Sequence, residues 1–179
     1  NYEGTVKSDN GQDDAGLTQD FDQPGLTDGA KGLSPNHRAH KLKVRGFYKV
    51  SDDFTVGANY RLTSPRKYGC IGLHPTDVFA QAYGASSNYC NNQLTPRGES
   101  FEGKWLNQFD LSFAYAPEFD FGKVTFRADV FNILDLRTPT DFDEFGEFDG
   151  GPDSPNADYG LSTSIQAPRR VRFGLSYEF

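Results

Sequence analysis

The stretch RRVRFGLSYEF, residues 169–179, alternates large apolar residues with polar or small ones. The apolar set takes every second position and consists of Val171, Phe173, Leu175, Tyr177 and Phe179. Arg172, Gly174, Ser176 and Glu178 stand between them. Because successive side chains of a β-strand point to opposite faces, this pattern predicts a strand with one apolar and one polar face.

The same alternation recurs in four further stretches, residues 40–50, 54–64, 107–116 and 122–134. Together with 169–179 they predict five long strands, and a short additional strand is predicted within NYEGTVKS (1–8). Residues 51–53 and 117–121 are short enough for tight turns. The other connections are long, covering about 1–39, 65–106 and 135–168, and they are rich in Gly, Pro, Asn and Asp.

Composition narrows the class of protein. The chain has 179 residues, a net charge of −7, and no apolar run approaching the length of a membrane helix. The negative charge argues against nucleic acid as a partner. No initiator methionine is present, since the first residue is Asn1, so we expect either a processed product or a piece of a longer protein.

Long loops alternating with tight turns are typical of a transmembrane antiparallel β-barrel with short periplasmic turns and long extracellular loops. Each predicted strand has about the 9–11 residues that a tilted spanning strand needs. Tyr48, Tyr60, Tyr115 and Tyr177 lie near strand ends, where aromatic girdles form. The alternative is a soluble β-sandwich, which also alternates but would have an unusually aromatic inner face and unusually long loops.

Acidic residues are concentrated in the long connections. Residues 1–39 contain seven acidic and three basic residues, and residues 135–168 contain eight and one. Such loops would repel anions and favour divalent cations at a barrel rim, or they would simply be solvated. The strand segments are correspondingly basic.

Several stretches resemble TonB-dependent outer-membrane receptors, and more narrowly their Oar-like subgroup. ADVFNILD (128–135) and the terminal RVRFGLSYEF resemble the C-terminal end of such receptors. The narrower resemblance lies in NYEGTVKSDNGQDDAGLTQDFDQPGL (1–26), SPNHRAHKLKV (34–44), GCIGLHPTD (69–77), YGASSNYCNNQLTPRGE (83–99) and KWLNQFDLSFAY (104–115). The apolar set of the terminal strand resembles the C-terminal assembly signal of outer-membrane proteins, and its members are Val171, Phe173, Leu175, Tyr177 and Phe179.

The resemblance implies a barrel of 22 strands around an N-terminal plug, in the outer membrane of a Gram-negative bacterium. The chain would supply the last five strands and the last three extracellular loops. Implied partners are membrane lipid and lipopolysaccharide, the plug and remaining strands, TonB acting through the plug, and the barrel assembly machinery. The implied activity is energised uptake of a scarce solute such as a siderophore, oligosaccharide or peptide, without a cofactor.

Lipid does not tolerate formal charges, so we expect the polar faces of the strands to line the lumen, and we expect the terminal strand to run inward. Charged residues expected there, in cross-strand pairs or against the plug, are Lys41, Lys43, Arg45, Arg61, Asp110, Arg127, Asp129, Arg170, Arg172 and Glu178. Five of them are the candidate ligand or plug contacts: Arg61, Arg127, Asp129, Arg170 and Arg172.

The same orientation places residues 65–106 outside the cell, where disulfides persist. This segment holds the two cysteines of the chain, Cys70 and Cys90, and we expect them to be bonded. The bridge would form a compact cap that could close over the lumen or present His74, Tyr83 and Tyr89 to a ligand.

Other functions have weaker support in the sequence. His37 and His40 could bind a metal on a tight turn, but no further ligand completes a known spacing. The stretch DFDEFGEFDGGPD (141–153) offers a calcium candidate in Asp141, Asp143, Glu147 and Asp149, although it lacks the terminal Glu of a twelve-residue loop. No nucleophile–base pair suggests an enzyme. A structural or adhesive outer-membrane protein remains the alternative to a receptor.

Overall fold

A computed structural model describes residues 3–5, 24–33, 37–120 and 122–178. The chain divides into two compact units. The strand unit consists of His40–Ser64, Trp105–Thr138 and Ile165–Phe179. The loop unit consists of Asn1–Ala39, Pro65–Lys104 and Pro139–Ser164.

The described elements are mostly strands. In chain order they are β1 (Glu3–Thr5), a 3-10 helix (Pro24–Thr27), β2 (Lys31–Leu33), β3 (Lys41–Lys49), β4 (Phe54–Thr63), β5 (Lys67–Tyr68), α1 (Val78–Gln81), β6 (Tyr89–Cys90), β7 (Gln93–Leu94), β8 (Phe101–Glu102), β9 (Leu106–Tyr115), β10 (Glu118–Phe119), β11 (Gly122–Phe131), β12 (Pro139–Phe142), a 3-10 helix (Gly151–Asp153), β13 (Ser162–Ile165) and β14 (Arg170–Glu178). Among these elements no helix has the length and apolarity to cross a membrane.

The long strands form one antiparallel sheet in the order β3–β4–β9–β11–β14, with β10 also paired to β11. The register keeps apolar residues opposite one another across the whole sheet. One row, for example, aligns Gly46 with Ala58, Ala58 with Leu111, Leu111 with Val130, and Val130 with Val171. The predicted alternation therefore gives one continuous apolar face and one continuous polar face.

The apolar face of the sheet is open. Side chains as large as Phe173, Leu175 and Tyr48 are 80%, 70% and 73% exposed. A soluble sandwich would cover such residues with a second sheet. Within the described residues no second sheet covers this face, and the fully buried hydrophobic side chains belong to the loop unit. The all-β architecture with one open apolar face is thus consistent with a fragment of a barrel wall.

Strand ends differ slightly from the predicted ranges. The strand predicted to reach residue 134 stops at Phe131, because Asn132 adopts a φ of 51° that extended backbone does not accommodate. The short N-terminal strand is β1, which pairs with β2. Residue 179 lies outside the described residues, so the terminal position of the expected assembly signal is not described. Its other members, Val171 to Tyr177, lie on the apolar face.

The long connections contain regular secondary structure. The loop unit contains the short strand pairs β1–β2, β5–β8, β6–β7 and β12–β13. It also has its own core, formed by Leu26, Ala30, Tyr68, Cys70, Ile71 and Ala80. This core could not be predicted from the sequence, because its apolar residues are scattered among Gly, Pro and Asn without a helical or strand period.

Candidate ligand-binding surfaces

An arginine joins two segments of the loop unit. Arg66 Nη1 donates to Asp141 Oδ1 at 2.7 Å, and Nη2 donates to Glu144 Oε2 at 2.6 Å. The side chains of Arg66 and Glu144 are 14% and 17% exposed, so this charge pair is largely shielded from water. The other oxygen of Glu144 accepts the backbone N–H of Gly69 at 2.8 Å. Segments 65–104 and 139–164 are therefore held together by charge-assisted hydrogen bonds.

Tyr68 lies beneath this arginine. The Arg66 guanidinium carbon is 4.4 Å from the centre of the Tyr68 ring, which is a cation–π contact. The ring stacks on Phe101 at 4.9 Å and meets the edge of Phe142 at 5.3 Å. Burial raises the pKa of Tyr68 to about 12, since the phenolate would lose its hydration. The Tyr68 hydroxyl donates to Asp141 Oδ1 at 3.1 Å.

The disulfide expected between Cys70 and Cys90 is present, with the two Cα atoms 6.1 Å apart. Cys90 ends one arm of the β6–β7 hairpin. The two turn residues, Asn91 and Asn92, both have positive φ, as a type I′ hairpin turn requires. Gly146 lies directly against the bridge, because a Cβ added there would be 2.7 Å from Cys90 Sγ.

The calcium candidates are all hydrogen-bonded within the chain. Asp141 faces Arg66, and the Glu147 carboxylate accepts the backbone N–H groups of Leu73 and Asn91. Asp149 accepts the N–H of Ala85 at 2.9 Å, and Asp143 accepts that of Phe145 at 2.8 Å. Across the part of the chain that the structure describes, no three His, Cys, Asp or Glu side chains are placed to hold a metal ion, and this includes His37 and His40. Each of these carboxylates instead accepts a hydrogen bond from at least one backbone N–H group.

His74 is buried, contrary to the expectation that it faces a ligand. It is 5% exposed, and its Nδ1 accepts the backbone N–H groups of Thr76 and Asp77 at 3.2 and 2.9 Å. The proton is therefore on Nε2, which lies 3.4 Å from Asp28 Oδ2. Tyr89 donates to the same Asp28 oxygen at 3.0 Å, and burial raises its pKa. This cluster links residues 24–33 to segment 65–104.

The loop unit retains exposed apolar side chains. Val78 and Phe79 of α1 are 66% and 68% exposed, and Tyr83 is 41% exposed. Phe145 and Phe148 border a cleft of about 440 Å³ that Asp143, Glu147, Asp149 and Asp158 also line. Exposed aromatic residues of this kind on a compact unit mark a surface able to bind partners.

The polar face of the sheet brings three of the five predicted contact residues together. Arg172 pairs with Asp129 across β11 and β14, with Nη2 2.7 Å from Oδ2. Both Arg170 and Arg172 lie over the Phe131 ring, at 4.9 and 5.4 Å. Asp129 is 9% exposed, so this cluster is a firm cross-strand contact.

The other two lie elsewhere on that face. Arg61 donates to the neutral Gln108 at 3.2 Å and stands directly opposite Lys43. Arg127 is opposite Gly174, a small neighbour that leaves its side chain open. The five candidates therefore do not form one pocket.

Asn132, within the FNILD stretch (131–135), makes hydrogen bonds to several parts of the chain. Its Nδ2 donates to the carbonyls of Leu136 and Ala167 at 2.9 and 2.8 Å, and its Oδ1 accepts the N–H of Leu136. Its backbone N–H donates to Asp110 Oδ1 at 2.9 Å. The residue fastens the chain where it leaves β11 to the chain that enters β14.

Sequence reasoning missed Arg66, Glu144 and Asp28 because their partners lie 46 to 78 residues away. One feature of the sequence could have indicated these contacts. Residues 135–168 have many more carboxylates than basic residues, and these carboxylates require basic or N–H partners elsewhere in the chain.

Comparisons with known proteins give one distant relative to consider. The chain is 28% identical over 221 aligned residues to the TonB-dependent transporter Oar of Myxococcus xanthus. The alignment covers 100% of this chain and 20% of the relative, so the chain spans about a fifth of that protein's length. No family model matches the chain, and no solved structure matches it. The chain is thus similar, over its whole length, to part of a TonB-dependent transporter.

Proposed function

We propose that this chain is part of the wall and outer loops of a TonB-dependent receptor in a Gram-negative outer membrane. The full protein would import a scarce solute, such as a siderophore, oligosaccharide or peptide, with energy delivered through TonB and a plug. The 22-stranded barrel, with this chain as its last five strands, belongs to the same proposal. The chain performs no catalysis in it.

The observation that carries the proposal is the register of the five long strands. It aligns apolar residues on one exposed face and charged residues on the other. Lipid requires an apolar outer face and a barrel lumen accepts charge, whereas water would make the open apolar face a site of aggregation. The similarity to a TonB-dependent transporter supports the same conclusion.

In this proposal the loop unit makes the first contact with the solute. Its internal ion pairs and disulfide give it a fixed surface, and a fixed surface binds with a smaller loss of conformational entropy than mobile loops would. The exposed aromatic residues Phe79, Phe145 and Phe148 offer contact area on that surface.

The test is to express the full-length protein in a Gram-negative host and fractionate the membranes. We expect it in the outer membrane, with a folded form that migrates differently from the heated form on gels. Protease added to intact cells should cut within residues 65–104 or 139–164 only after reduction and partial denaturation. Recovery as a soluble periplasmic protein would contradict the proposal.

Energy coupling needs its own measurement. The purified receptor should bind the periplasmic domain of TonB, and a host lacking TonB should lose solute uptake while surface levels of the receptor stay unchanged. Cell adhesion that persists without TonB, with no uptake in either host, would instead support the structural or adhesive alternative.

A further inference from the structure

We infer that a cleft in the loop unit binds an organic cation, that is, a positively charged amine attached to an apolar group. The cleft is lined by Ala85 and by residues of segment 143–158, and its volume of about 440 Å³ is within the range of small-molecule sites. The inference rests on the proposed function, in which the loop unit makes the first contact with the solute. It names the chemical class of that solute, which the similarity to a transporter does not.

The first observation is the apolar part of the lining. The phenyl rings of Phe145 and Phe148 border the cleft and are 41% and 53% exposed. An exposed ring offers contact area to an apolar group, and the face of a ring also attracts a cation. Two such rings beside the small side chain of Ala85 leave room for an apolar group and a cationic group together.

The second observation is the charge of the lining. Among the described residues, no Lys, Arg or His lines the cleft, and none forms an ion pair with the carboxylates that do. The hydrogen bonds that these carboxylates accept come from backbone N–H groups and from the neutral Asn156 amide. The field in the cleft is therefore negative and complementary to a cation. The carboxylates are Asp143, Glu147, Asp149 and Asp158.

The arrangement suits an organic cation better than a metal ion. Calcium needs about six to eight oxygen ligands converging at about 2.3–2.6 Å. Throughout the described part of the chain, no three His, Cys, Asp or Glu side chains are placed to hold a metal ion. Carboxylates that are spread around a cleft with two phenyl rings instead match a charge carried by an apolar body.

The walls of the cleft are fixed by contacts within the chain. Asp149 accepts the backbone N–H of Ala85 at 2.9 Å, which joins the two sides of the cleft. The N–H of Phe148 donates to the carbonyl of Ser154 at 2.9 Å, and Glu147 accepts the N–H of Leu73 at 3.3 Å. A preformed cleft loses less conformational entropy on binding than mobile loops would.

The experiment measures binding of three fluorinated probes to the purified full-length protein by fluorine NMR. The probes share a para-trifluoromethylbenzyl group, which carries a trimethylammonium, a hydroxyl or a sulfonate. We expect the ammonium to bind more tightly than the alcohol, and the alcohol more tightly than the sulfonate. Binding of the ammonium should weaken as salt rises, since screening shortens the reach of the carboxylate charges.

Variants locate the binding. The double substitution Asp149→Asn and Asp158→Asn keeps the oxygen acceptors but removes two charges, and it should weaken the ammonium by about five-fold. Phe148→Leu should weaken it by about three-fold through loss of the ring.

The matched controls lie outside the lining of the cleft. Glu99→Gln combined with Glu102→Gln removes the same number of charges from the loop unit and should leave binding unchanged. Phe79→Leu removes a ring that is 68% exposed and should also leave it unchanged.

Equal binding of the three probes, preference for the sulfonate, or unchanged affinity for the ammonium in both cleft variants would overturn the inference. So would displacement of the ammonium by stoichiometric calcium, because the carboxylates would then form a metal site. Binding to the purified protein needs no TonB. Absence of cation preference together with TonB-dependent uptake would therefore reject only this inference, and cation binding without TonB dependence would reject only the proposed function.

Discussion

Arg66 and Glu144 form an ion pair of 2.6 Å between Nη2 and Oε2, although they lie 78 residues apart. The pair is largely buried and shares its arginine with Asp141. It joins the start of segment 65–104 to segment 139–164. The compactness of the loop unit depends on contacts of this kind, which long acidic loops alone would not provide.

Glu144→Gln should loosen this junction. The substitution keeps the shape of the side chain but leaves Arg66 with one charged partner fewer in a shielded site, at a cost of about 2 kcal/mol in local stability. Hydrogen exchange of the full-length protein should show faster exchange at Gly69 and Ile71, whose N–H groups are bonded to Glu144.

The matched control is the pair Lys67–Glu102, whose side chains are 47% and 57% exposed. Glu102→Gln should change local stability by less than about 1 kcal/mol, because water screens an exposed pair. Similar exchange rates in the two variants would contradict the role assigned to Arg66.

Tyr68 should make the loop unit sensitive to alkali. Its pKa is raised from 10.0 to about 12, mainly by burial, so the folded state holds the phenolic proton more tightly than the unfolded state. This contribution to stability is complete below pH 10 and is lost as pH rises from about 10 to about 12. Tyr68→Phe should remove that part of the pH dependence. Ultraviolet titration of phenolate absorbance, compared between the two proteins, checks it, and a Tyr68 phenolate formed at pH 10 in the folded protein would contradict it.

Reducing the disulfide should release more than the segment that it closes. The bridge closes a loop of 20 residues, for which loss of unfolded-chain entropy gives about 3 kcal/mol. Since Gly146 lies against the two sulfurs, exchange should rise both between Cys70 and Cys90 and around Gly146. The double substitution of both cysteines by serine should behave like the reduced protein. Alkylation of both thiols without prior reduction would show that the bridge does not form.

Both the positive φ of Asn132 and the hydrogen bonds of its side chain should contribute to the stability of the fold. Asn132→Gly keeps the positive φ but loses three side-chain hydrogen bonds, and we expect a loss of about 2–3 kcal/mol. Asn132→Ala adds backbone strain and should cost about 1 kcal/mol more. Denaturant unfolding of the full-length protein measures both losses, and an unfolding midpoint unchanged in the glycine variant would contradict this role of the Asn132 side chain.

The strand faces could be predicted because alternation is a local signal. The apolar and polar sets of β3, β4, β9, β11 and β14 follow from a period of two, and the register aligns them as expected. The end of β11 could not be predicted in this way, because the positive φ of Asn132 depends on its hydrogen-bond partners at Leu136 and Ala167.

The structure of the loop unit could not be predicted from the sequence for a different reason. Its structure rests on single contacts between distant residues, such as Glu147 with Leu73 or Asp28 with His74, and these have no period. The acidic composition of residues 141–153 suggests a calcium site. In the structure the same carboxylates accept backbone N–H groups, which composition cannot distinguish from metal binding.

The central claim is that the apolar face of the sheet contacts lipid. Spin labels at Phe126→Cys and Thr125→Cys, adjacent on β11, test it in the full-length protein, without other free thiols and reconstituted in phospholipid vesicles. The label at 126 should be relaxed more strongly by oxygen, which partitions into lipid. The label at 125 should be relaxed more strongly by a water-soluble nickel chelate. Stronger relaxation by the nickel chelate at 126, or the same response at both positions, would contradict the claim.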